Sequence, residues 1–471
     1  MAEVEQIAVD TIQSVTIDQA WHYGIVPKLL VDGYIVFYST EANAALYTNE
    51  LTLLFGREIR FDFLSADELN ALLSKYYRKG RQSTSSGFLF NKHNDFLLDL
   101  IQEAHRIECS DIHIEAYEER CRVRMRIDGK LIERFVIPKD SYPSLINKIK
   151  IKANLDIAEK RLPQDGRIFY ADEWSNFDIR VSVLPTLHGE KVVLRLLSKD
   201  STKIDLEALG FALQQLACYR NSIQKPNGIV LISGPTGSGK TTTLYATLKT
   251  LNKESSNILT IEDPIEYTLE GINQVQLKED IGLTFASALR TFLRQDPDII
   301  MLGEIRDVET AQMAIRAALT GHLVLSTIHT NSAVGTISRL QDMGIPSYLL
   351  ASTLNLSVAQ RLVRKLCPDC KSERPFNPSD YPSVQKMGIA TKSHYVPVGC
   401  SGCYFTGYRG RRAIYEIIDI DEDIRQMIRN QDIERMLSDG KFVTLSSAAL
   451  DMFFKGETSM EEIYPLLLDS E

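Results

Sequence analysis

The chain has 471 residues, which allows about two to four domains with their own hydrophobic cores. Hydrophobic residues make up 44% of the sequence, but no apolar run reaches the roughly 18 residues that a membrane span needs. The first residues, MAEVEQIAVD, lack an export signal. We therefore expect a cytoplasmic protein, and the net charge of −9 argues against a dedicated DNA- or RNA-binding protein.

The first predicted domain covers residues 1–77 and is a small α/β unit. YIVFYS predicts a strand, and SADELNALLSKYY begins with a Ser cap and continues with helical spacing of its apolar residues. The domain has no phosphate-binding loop and no cysteine pair, so we expect docking rather than chemistry from it. The polar stretch at 78–87 predicts a linker that lets this domain move independently.

Residues 88–197 are predicted to form an α+β domain. FLLDLIQEAHRIE has the spacing of an amphipathic helix, whereas CRVRMRIDGKLIERFVI alternates with a period of two. Asp128-Gly129 predicts the turn of a hairpin, and FDIRVSVLPTLHGEKVVLRLLS predicts two more strands. A second polar linker is expected at 198–205.

Residues 206–360 are predicted to form an α/β domain with a parallel sheet. Helices alternate with short apolar strands, namely GIVLIS, NILTIE, DIIML and HLVLSTI, and this order places helices on both faces of the sheet. The rest of the chain predicts a cysteine-containing module at 361–412 and a helical region at 413–471.

A phosphate-binding loop is predicted between the strand GIVLIS and the helix that follows it. GPTGSGKT matches G-x-x-x-x-G-K-[ST] in the context that this motif requires. The glycines let backbone N–H groups turn toward phosphates, Lys240 would reach the β- and γ-phosphates, and Thr241 would bind Mg²⁺. The predicted nucleotide-binding residues are Gly234, Pro235, Thr236, Gly237, Ser238, Gly239, Lys240, Thr241 and Thr242.

Acidic residues follow two of the predicted strands, at the sheet edge where ligands bind in α/β domains. Glu304 ends DIIMLGE and can orient an attacking water molecule, although an acid that simply begins a helix is the alternative. Glu262 and Asp263 end NILTIED and form a second acidic pair at the same edge.

Four of the seven cysteines form two C-x-x-C pairs, Cys367 with Cys370 and Cys400 with Cys403. Four thiolates can close a tetrahedral Zn²⁺ site that has no open position, so we predict structural rather than catalytic zinc. Four unrelated buried or free cysteines are the alternative.

Six motifs occur in an order that resembles one family. They are SDIHIE, RLPQDGR, the phosphate loop, IEDPIEY, LRQDPDIIMLGEIRD and TGHLVLSTIHTNSA, and from about residue 95 to 415 they resemble the type II secretion and type IV pilus assembly ATPases. The resemblance implies a homo-hexamer that binds ATP, with a RecA-like domain preceded by a PAS-like domain. It also implies Glu304 as base or water-orienting residue, Glu262 as a second essential acid, and His322 and His329 as nucleotide sensors or bridges between subunits.

The resemblance also gives a meaning to several arginines. Arg180 and Arg195 lie in otherwise apolar strands, and a buried arginine needs an anion. Salt bridges within the domain are one answer, and the resemblance implies the γ-phosphate of ATP as another. Arg290, Arg294 and Arg306 match family positions near the active site. Structural ion pairs are an equally good explanation for these three residues.

The predicted fold class is therefore α/β. A RecA-like P-loop domain with a parallel sheet is preceded by a PAS-like α+β domain and the small amino-terminal α/β domain, and it is followed by the zinc module and a helical carboxyl-terminal region. The predicted function is ATP hydrolysis coupled to the assembly of pilin-like subunits. A RecA-like nucleic-acid translocase or helicase, and a regulatory module without turnover, are the alternatives.

The expected partners follow from the same resemblance. They are further copies of the chain, an inner-membrane platform protein, and a membrane-anchored protein that docks residues 1–77 and recruits the motor peripherally to the inner membrane. No nucleic acid and no membrane insertion are expected. The single short amino-terminal domain favours type II secretion over a type IV pilus without deciding between them.

Overall fold

The computed structural model describes the chain in two compact units. It describes residues 7, 11–12, 14–31, 33–77, 96–171, 176–197, 205–382, 384, 391–432, 435 and 442–468. One unit comprises Met1–Ser198, Cys367–Cys370 and Val398–Tyr408, and the other comprises Lys199–Leu366, Lys371–Pro397 and Arg409–Glu471. The predicted linker at 78–87 and residues 198–204 of the second predicted linker lie outside the described residues.

A three-stranded sheet organises the amino-terminal part of the first unit. Its elements are α1 (Ile17–Tyr23), β1 (Val26–Val31), β2 (Tyr34–Ser39), α2 (Glu41–Phe55), β3 (Glu58–Phe63) and α3 (Ala66–Tyr76). β2 is antiparallel to β1 and parallel to β3. The strand predicted from YIVFYS and the helix predicted from SADELNALLSKYY are both confirmed, and Ser65 caps the helix reciprocally with Glu68.

A six-stranded antiparallel sheet forms the next part of the same unit. Its strands follow the order β6-β5-β4-β9-β8-β7. The predicted hairpin turn is confirmed, because Asp128 and Gly129 have φ angles of 47° and 86° between two paired strands. The elements are α4 (Phe96–Arg106), β4 (Asp111–Ala116), β5 (Cys121–Ile127), β6 (Lys130–Ile137), α5 (Tyr142–Lys152), β7 (Gln164–Ala171), β8 (Asn176–Thr186) and β9 (Gly189–Leu197).

The two faces of this sheet differ in polarity. Cys121, Val123 and Met125 of β5 are buried in one core with the apolar residues of α4 and α5. The alternate residues of β5, Arg122 and Arg124, lie on the opposite face. That polar face also carries Arg180 and Arg195. The PAS-like character of the domain stays a prediction.

The second unit is built on a seven-stranded sheet that ends with β15 (Leu354–Leu366) and β18 (Tyr408–Asp419). The strand order is β12-β11-β13-β14-β10-β15-β18. β10 is parallel to β14 and β15, and β11 is parallel to β12 and β13. Alternate residues of β10 enter two separate cores, so helices cover both faces. The first elements are α6 (Leu213–Ile223), β10 (Gly228–Ser233), α7 (Lys240–Leu251), β11 (Ile258–Glu262), β12 (Asn273–Gln276), α8 (Phe285–Phe292), β13 (Ile299–Leu302), α9 (Val308–Leu319) and β14 (Leu323–Ile328).

The remaining elements surround and follow the cysteine segments. They are α10 (Ala333–Asp342), α11 (Ser347–Thr353), β15 (Leu354–Leu366), β16 (Ser372–Pro375), β17 (Ser393–Val396), β18 (Tyr408–Asp419), α12 (Glu422–Asn430), α13 (Leu445–Phe454) and α14 (Met460–Leu468). The predicted boundaries at 360/361 and 412/413 therefore fall inside the strands β15 and β18. Among the described residues, no helix is long and apolar enough to span a bilayer.

Candidate functional site

The predicted phosphate loop joins the end of β10 to the start of α7. Gly234, Gly237 and Gly239 have φ angles of 147°, 79° and 88°, which L side chains rarely adopt. Gly234 also lacks space for a side chain, since a Cβ there would lie 2.5 Å from the Gln360 carbonyl oxygen and 2.7 Å from Ser238 Oγ. The glycines thus allow the backbone N–H groups to form a cradle for phosphate oxygens.

Lys240 folds back onto this loop. Its Nζ donates to the carbonyl oxygens of Gly234 (2.7 Å) and Pro235 (3.1 Å). Burial lowers the pKa of Lys240, and the Glu304 carboxylate acts in the opposite direction. An ammonium group placed here can exchange the carbonyl oxygens for the β- and γ-phosphate oxygens of a bound nucleotide.

The hydroxyl groups of the loop also fit a magnesium nucleotide. Ser238 Oγ is buried and finds no hydrogen-bond partner among the described residues, a cost that a bound phosphate would remove. Thr241 is exposed in the first turn of α7, where its hydroxyl is accessible to a metal ion. Pro235 and Thr236 are exposed and Thr242 is half-buried.

Two side chains of β15 support the loop, and the sequence analysis missed both. Gln360 Nε2 donates to the Ser238 carbonyl oxygen (2.9 Å), and Gln360 Oε1 accepts from Thr243 Oγ1 (2.8 Å). Arg361 Nη2 donates to the carbonyl oxygen and Oδ1 of Asn331, at 3.0 and 3.2 Å. The sequence does contain a signal for these two residues, namely a Gln-Arg pair inside an apolar run. Buried polar side chains need hydrogen-bond partners, so such a pair indicates contacts with another part of the domain.

Glu304 lies beyond the end of β13 and at the same sheet edge as the phosphate loop. Arg306 Nε donates to Glu304 Oε1 at 2.6 Å, and His329 Nε2 lies 3.0 Å from Glu304 Oε2. The structure therefore brings together three predicted residues, Glu304, His329 and Arg306. Arg306 Nη2 also donates to Asp263 Oδ2 (3.3 Å), which places the second acidic stretch beside the first.

Glu262 differs from Glu304 because its carboxylate is buried within a hydrogen-bond network. Tyr245 Oη donates to Glu262 Oε2, while Thr260 Oγ1 (2.6 Å) and Gln274 Nε2 (3.0 Å) donate to Oε1. Burial and the Glu262 charge both raise the pKa of Tyr245, so the tyrosine stays a donor. This geometry suits a group that fixes β11 and α7, whereas Asp263 faces Arg306.

The described contacts of the other predicted side chains of this unit are outside the phosphate loop. His322 precedes β14, so it lies at the strand end opposite to His329, and its Nδ1 is 2.9 Å from the Ala317 carbonyl oxygen. Arg290 pairs with Glu309, and Arg294 Nη1 donates to the Arg290 carbonyl oxygen (3.1 Å). Arg290 therefore forms an ion pair outside the candidate site, whereas the ion pairs of Arg306, with Glu304 and Asp263, lie within it.

Arg180 and Arg195 lie next to each other on the polar face of the six-stranded sheet. The strand register pairs Arg180 with Arg195 on one side and with Arg167 on the other. Arg195 Nε donates to Asp111 Oδ1 (2.9 Å), and Asp111 also lies opposite Arg126. Burial would raise the pKa of Asp111, but its hydrogen bonds to Arg195 and Ser110 more than offset this and lower it. A salt bridge within the domain is thus confirmed for Arg195.

The two predicted cysteine pairs form one cluster within the first unit. The four Sγ atoms lie within 4.8 Å of one another. The Sγ–Sγ distances are 3.8 Å for Cys367–Cys400, 3.7 Å for Cys370–Cys403 and 3.8 Å for Cys400–Cys403. A tetrahedral Zn²⁺ with bonds of about 2.3 Å requires edges of about 3.8 Å, so the cluster fits the predicted ion.

Backbone groups around the cluster favour thiolates. Gly399 N donates to Cys370 Sγ, and the backbone N–H groups of Cys400 (3.1 Å) and Gly407 (3.3 Å) donate to Cys403 Sγ. Burial opposes ionisation at Cys403, yet the N–H donors of Cys400 and Gly407 outweigh it and lower its pKa. At Cys367 and Cys370 burial prevails and raises the pKa. The same donors would orient the sulfur atoms around a metal.

Comparison with known proteins gives consistent results. Residues 91–465 match the family model described as Type II/IV secretion system protein. Type II secretion system protein E of Aeromonas hydrophila is 47% identical over 368 residues, which cover 77% of this chain and 73% of the relative. Type II secretion system ATPase E of Vibrio cholerae is 40% identical over 447 residues, 92% of this chain and 88% of the relative. The type IV pilus assembly ATPase PilB of Myxococcus xanthus is 48% identical over 374 residues, 77% of this chain and 66% of PilB.

Solved structures agree on the fold. The ATPase DotB of Legionella pneumophila superposes with a TM-score of 0.61 at 22% identity, covering 80% of this chain and 96% of DotB. The pilus retraction motor PilT with bound ADP gives a TM-score of 0.54 at 26% identity, with coverages of 80% and 96%. Because the family model spans most of the sequence and the relatives share 40% identity or more, this chain belongs to the type II/IV secretion system protein family.

Proposed function

We propose that this chain is a hexameric ATPase that couples ATP hydrolysis to the assembly of pilin-like subunits in a type II secretion system. The single observation that carries the ATPase assignment is that Lys240 and Glu304 follow the ends of parallel strands at the same edge of the sheet. Lys240 binds phosphate and Glu304 can orient water, and phosphoryl transfer to water requires both roles. The relatives named above are secretion and pilus ATPases, and none of them is a helicase.

The residues of the site have different roles in binding and hydrolysis. The loop N–H groups and Lys240 hold the phosphates, and Thr241 holds the Mg²⁺ that neutralises charge on them. Glu304 orients the attacking water and accepts its proton, while His329 and Arg306 keep the carboxylate in place. Glu262 fixes the strand beside it through Tyr245.

Arg180 and Arg195 supply positive charge as the γ-phosphoryl group leaves. Their adjacent positions on β8 and β9 support this, because two guanidinium groups side by side repel each other unless an anion lies nearby. Asp111 is one such anion for Arg195. A phosphate reached by the same face would be another.

The proposed partners are an inner-membrane platform protein and a membrane-anchored docking protein. The docking surface belongs to residues 1–77, where Leu46 and Leu53 of α2 are 70% and 85% exposed. Two observations favour type II secretion over a pilus: the chain has a single short amino-terminal domain, and among the relatives named above the match to the Vibrio cholerae ATPase covers 92% of this chain. The cysteine cluster holds one structural Zn²⁺.

The test uses the host strain with its own gene replaced by the Glu304→Gln form. We expect secreted proteins to accumulate in the periplasm while surface pili persist. Loss of pili with normal secretion would assign the motor to a pilus, and no defect in either would refute the proposal. Purified chain should hydrolyse ATP at the same rate with and without DNA, and stimulation by DNA would favour the translocase alternative.

A further inference from the structure

Glu416 of β18 is a buried carboxylate that contacts the beginnings of two helices. It is only 4% exposed. Glu416 Oε1 accepts from the N–H of Ala333 at 2.7 Å, and Oε2 accepts from the N–H of Leu445 at 3.2 Å. Ala333 begins α10 and Leu445 begins α13. A single side chain therefore satisfies N–H groups at two helix starts, which carry partial positive charge.

The start of α10 is continuous with the candidate active site. Residues 329–333, which we name the entry segment, run from the end of β14 into α10. His329 at one end of this segment contacts Glu304, and Asn331 in its middle accepts from Arg361, which lies against the phosphate loop. Ala333 at the other end is held by Glu416. The segment thus has one anchor at the hydrolytic carboxylate and another at Glu416.

Helix capping alone does not account for this carboxylate. Ser332 already caps α10 with its own side chain, and Thr444 does the same for α13. A carboxylate is expensive to bury, and burial raises the pKa of Glu416 against the opposing effect of the N–H donors and Arg361. The group therefore costs stability that an apolar residue would not.

We infer that Glu416 is a positioning residue for ATP hydrolysis: by holding Ala333 and Leu445 together, it fixes the entry segment so that His329 keeps Glu304 in its productive orientation. The inference rests on the proposed ATPase function. Glu416 then supports both α13 and, through the entry segment, the Glu304 carboxylate. A displacement of α13 would therefore change the hydrolysis rate. Glu416 itself touches neither phosphate nor water in this role.

The test compares Glu416→Gln with a matched variant in the full-length chain. An amide of the same shape has one acceptor oxygen, so it can keep only one of the two N–H groups. We expect kcat to fall about tenfold while KM for ATP and the affinity for ADP change less than about twofold. Glu462→Gln is the control, because Glu462 is a half-buried carboxylate that pairs with Arg364 (2.9 Å) and contacts no residue of the entry segment.

The outcomes separate three cases. A wild-type chain without hydrolysis would contradict the proposed function itself. If the wild-type chain hydrolyses ATP and Glu416→Gln has the same kcat, the inference is wrong. It is also wrong if both variants lose kcat in the same proportion to their drop in Tm, because the loss then reflects lower stability alone. A selective loss in Glu416→Gln supports it.

A second measurement does not depend on the variant folding. Hydrogen exchange of the wild-type chain is followed with and without a non-hydrolysable ATP analogue. We expect the amides of Ala333 and Leu445 to gain protection together, because one carboxylate holds both. Protection at Ala333 without any change at Leu445 would contradict the shared support.

Discussion

At the scale of single residues, the candidate site separates nucleotide binding from hydrolysis. In the described part of the chain, the hydrogen bonds of Lys240 Nζ go to the loop carbonyl oxygens of Gly234 and Pro235, where phosphates would be held. Glu304 is held by His329 and Arg306 and has no hydrogen-bond donor from the loop among its described contacts. Different substitutions should therefore remove the two functions one at a time.

The first prediction uses this separation. Lys240→Ala should weaken ATP binding itself, whereas Glu304→Gln should keep ATP affinity and lower turnover by about 10²-fold or more, because only the water-orienting carboxylate is lost. Equilibrium binding of a fluorescent ATP analogue and steady-state phosphate release measure the two effects. Normal turnover in Glu304→Gln would remove that residue from the hydrolytic role.

The second prediction concerns Arg180 and Arg195. Replacing either by Ala should reduce hydrolysis far more than ATP affinity, since their charge matters most as the phosphoryl group leaves. Asp111→Asn is the matched control, because it removes the ion-pair partner of Arg195 and keeps the guanidinium. If Asp111→Asn and Arg195→Ala reduce turnover equally, Arg195 acts as a structural ion instead.

Residue identities at the site were largely predictable from sequence, and their partners were not. The loop, Glu304, His329 and Arg306 lie in short motifs whose spacing carries the chemistry. Gln360 and Glu416 were missed because their hydrogen-bond partners are far away in the chain, at Thr243 and Leu445 for example. Burial of Glu262 also depends on Tyr245 and Gln274, which no local pattern connects to it.

At the scale of elements, the clearest unit is the cysteine cluster. Its two segments, Cys367–Cys370 and Val398–Tyr408, are brought together within the first unit. Tyr404 packs against the core of the six-stranded sheet domain, and Cys367 N donates to the Gly407 carbonyl oxygen (2.9 Å). Several other backbone hydrogen bonds lie within a single segment, such as those from Cys370 N to the Cys367 carbonyl oxygen and from Cys403 N to the Cys400 carbonyl oxygen. A metal ion bound by both segments would therefore stabilise their junction.

The third prediction follows from that dependence. Freshly purified protein should contain about one Zn²⁺ per chain by elemental analysis. Cys367→Ser or Cys400→Ser should release the ion and expose residues 361–412 to protease, while Cys218→Ser in α6 should retain both the zinc and the protection. Absence of zinc from chelator-free wild-type protein would contradict the assignment.

The strand β15 shows why a strand with buried polar residues is difficult to predict from sequence. The strand β15 continues past residue 360 although it carries Gln360, Arg361 and Arg364, which break the apolar pattern. These side chains are buried because the phosphate loop, Asn331 and Glu462 supply their partners. From the sequence, a domain boundary was predicted at 360/361 and no strand was predicted there, because the tertiary partners that permit such a strand are not visible in its own sequence.

At the scale of the whole molecule, residues 1–77 have their own sheet and core. The fourth prediction is that deletion of residues 1–86 abolishes membrane association in cells and leaves ATP binding and zinc content unchanged. Cell fractionation measures the first, and the binding assays above measure the others. Leu53→Asp in the full-length chain, at an 85% exposed position, should also abolish membrane association. If the truncated chain is found at the membrane at wild-type levels, the docking surface lies elsewhere.

The edge strand β18 also has a consequence for synthesis of the protein. Tyr415 of β18 stacks on Phe211, and its hydroxyl donates to the Leu209 carbonyl oxygen at 3.2 Å, so residues about two hundred positions apart complete one core. Until the ribosome has released residue 419, the nascent chain therefore exposes the unpaired side of β15 and an apolar cleft beside α6. Such long-range closure folds slowly, so newly made chains should be substrates for a holding chaperone that binds before the last strand emerges.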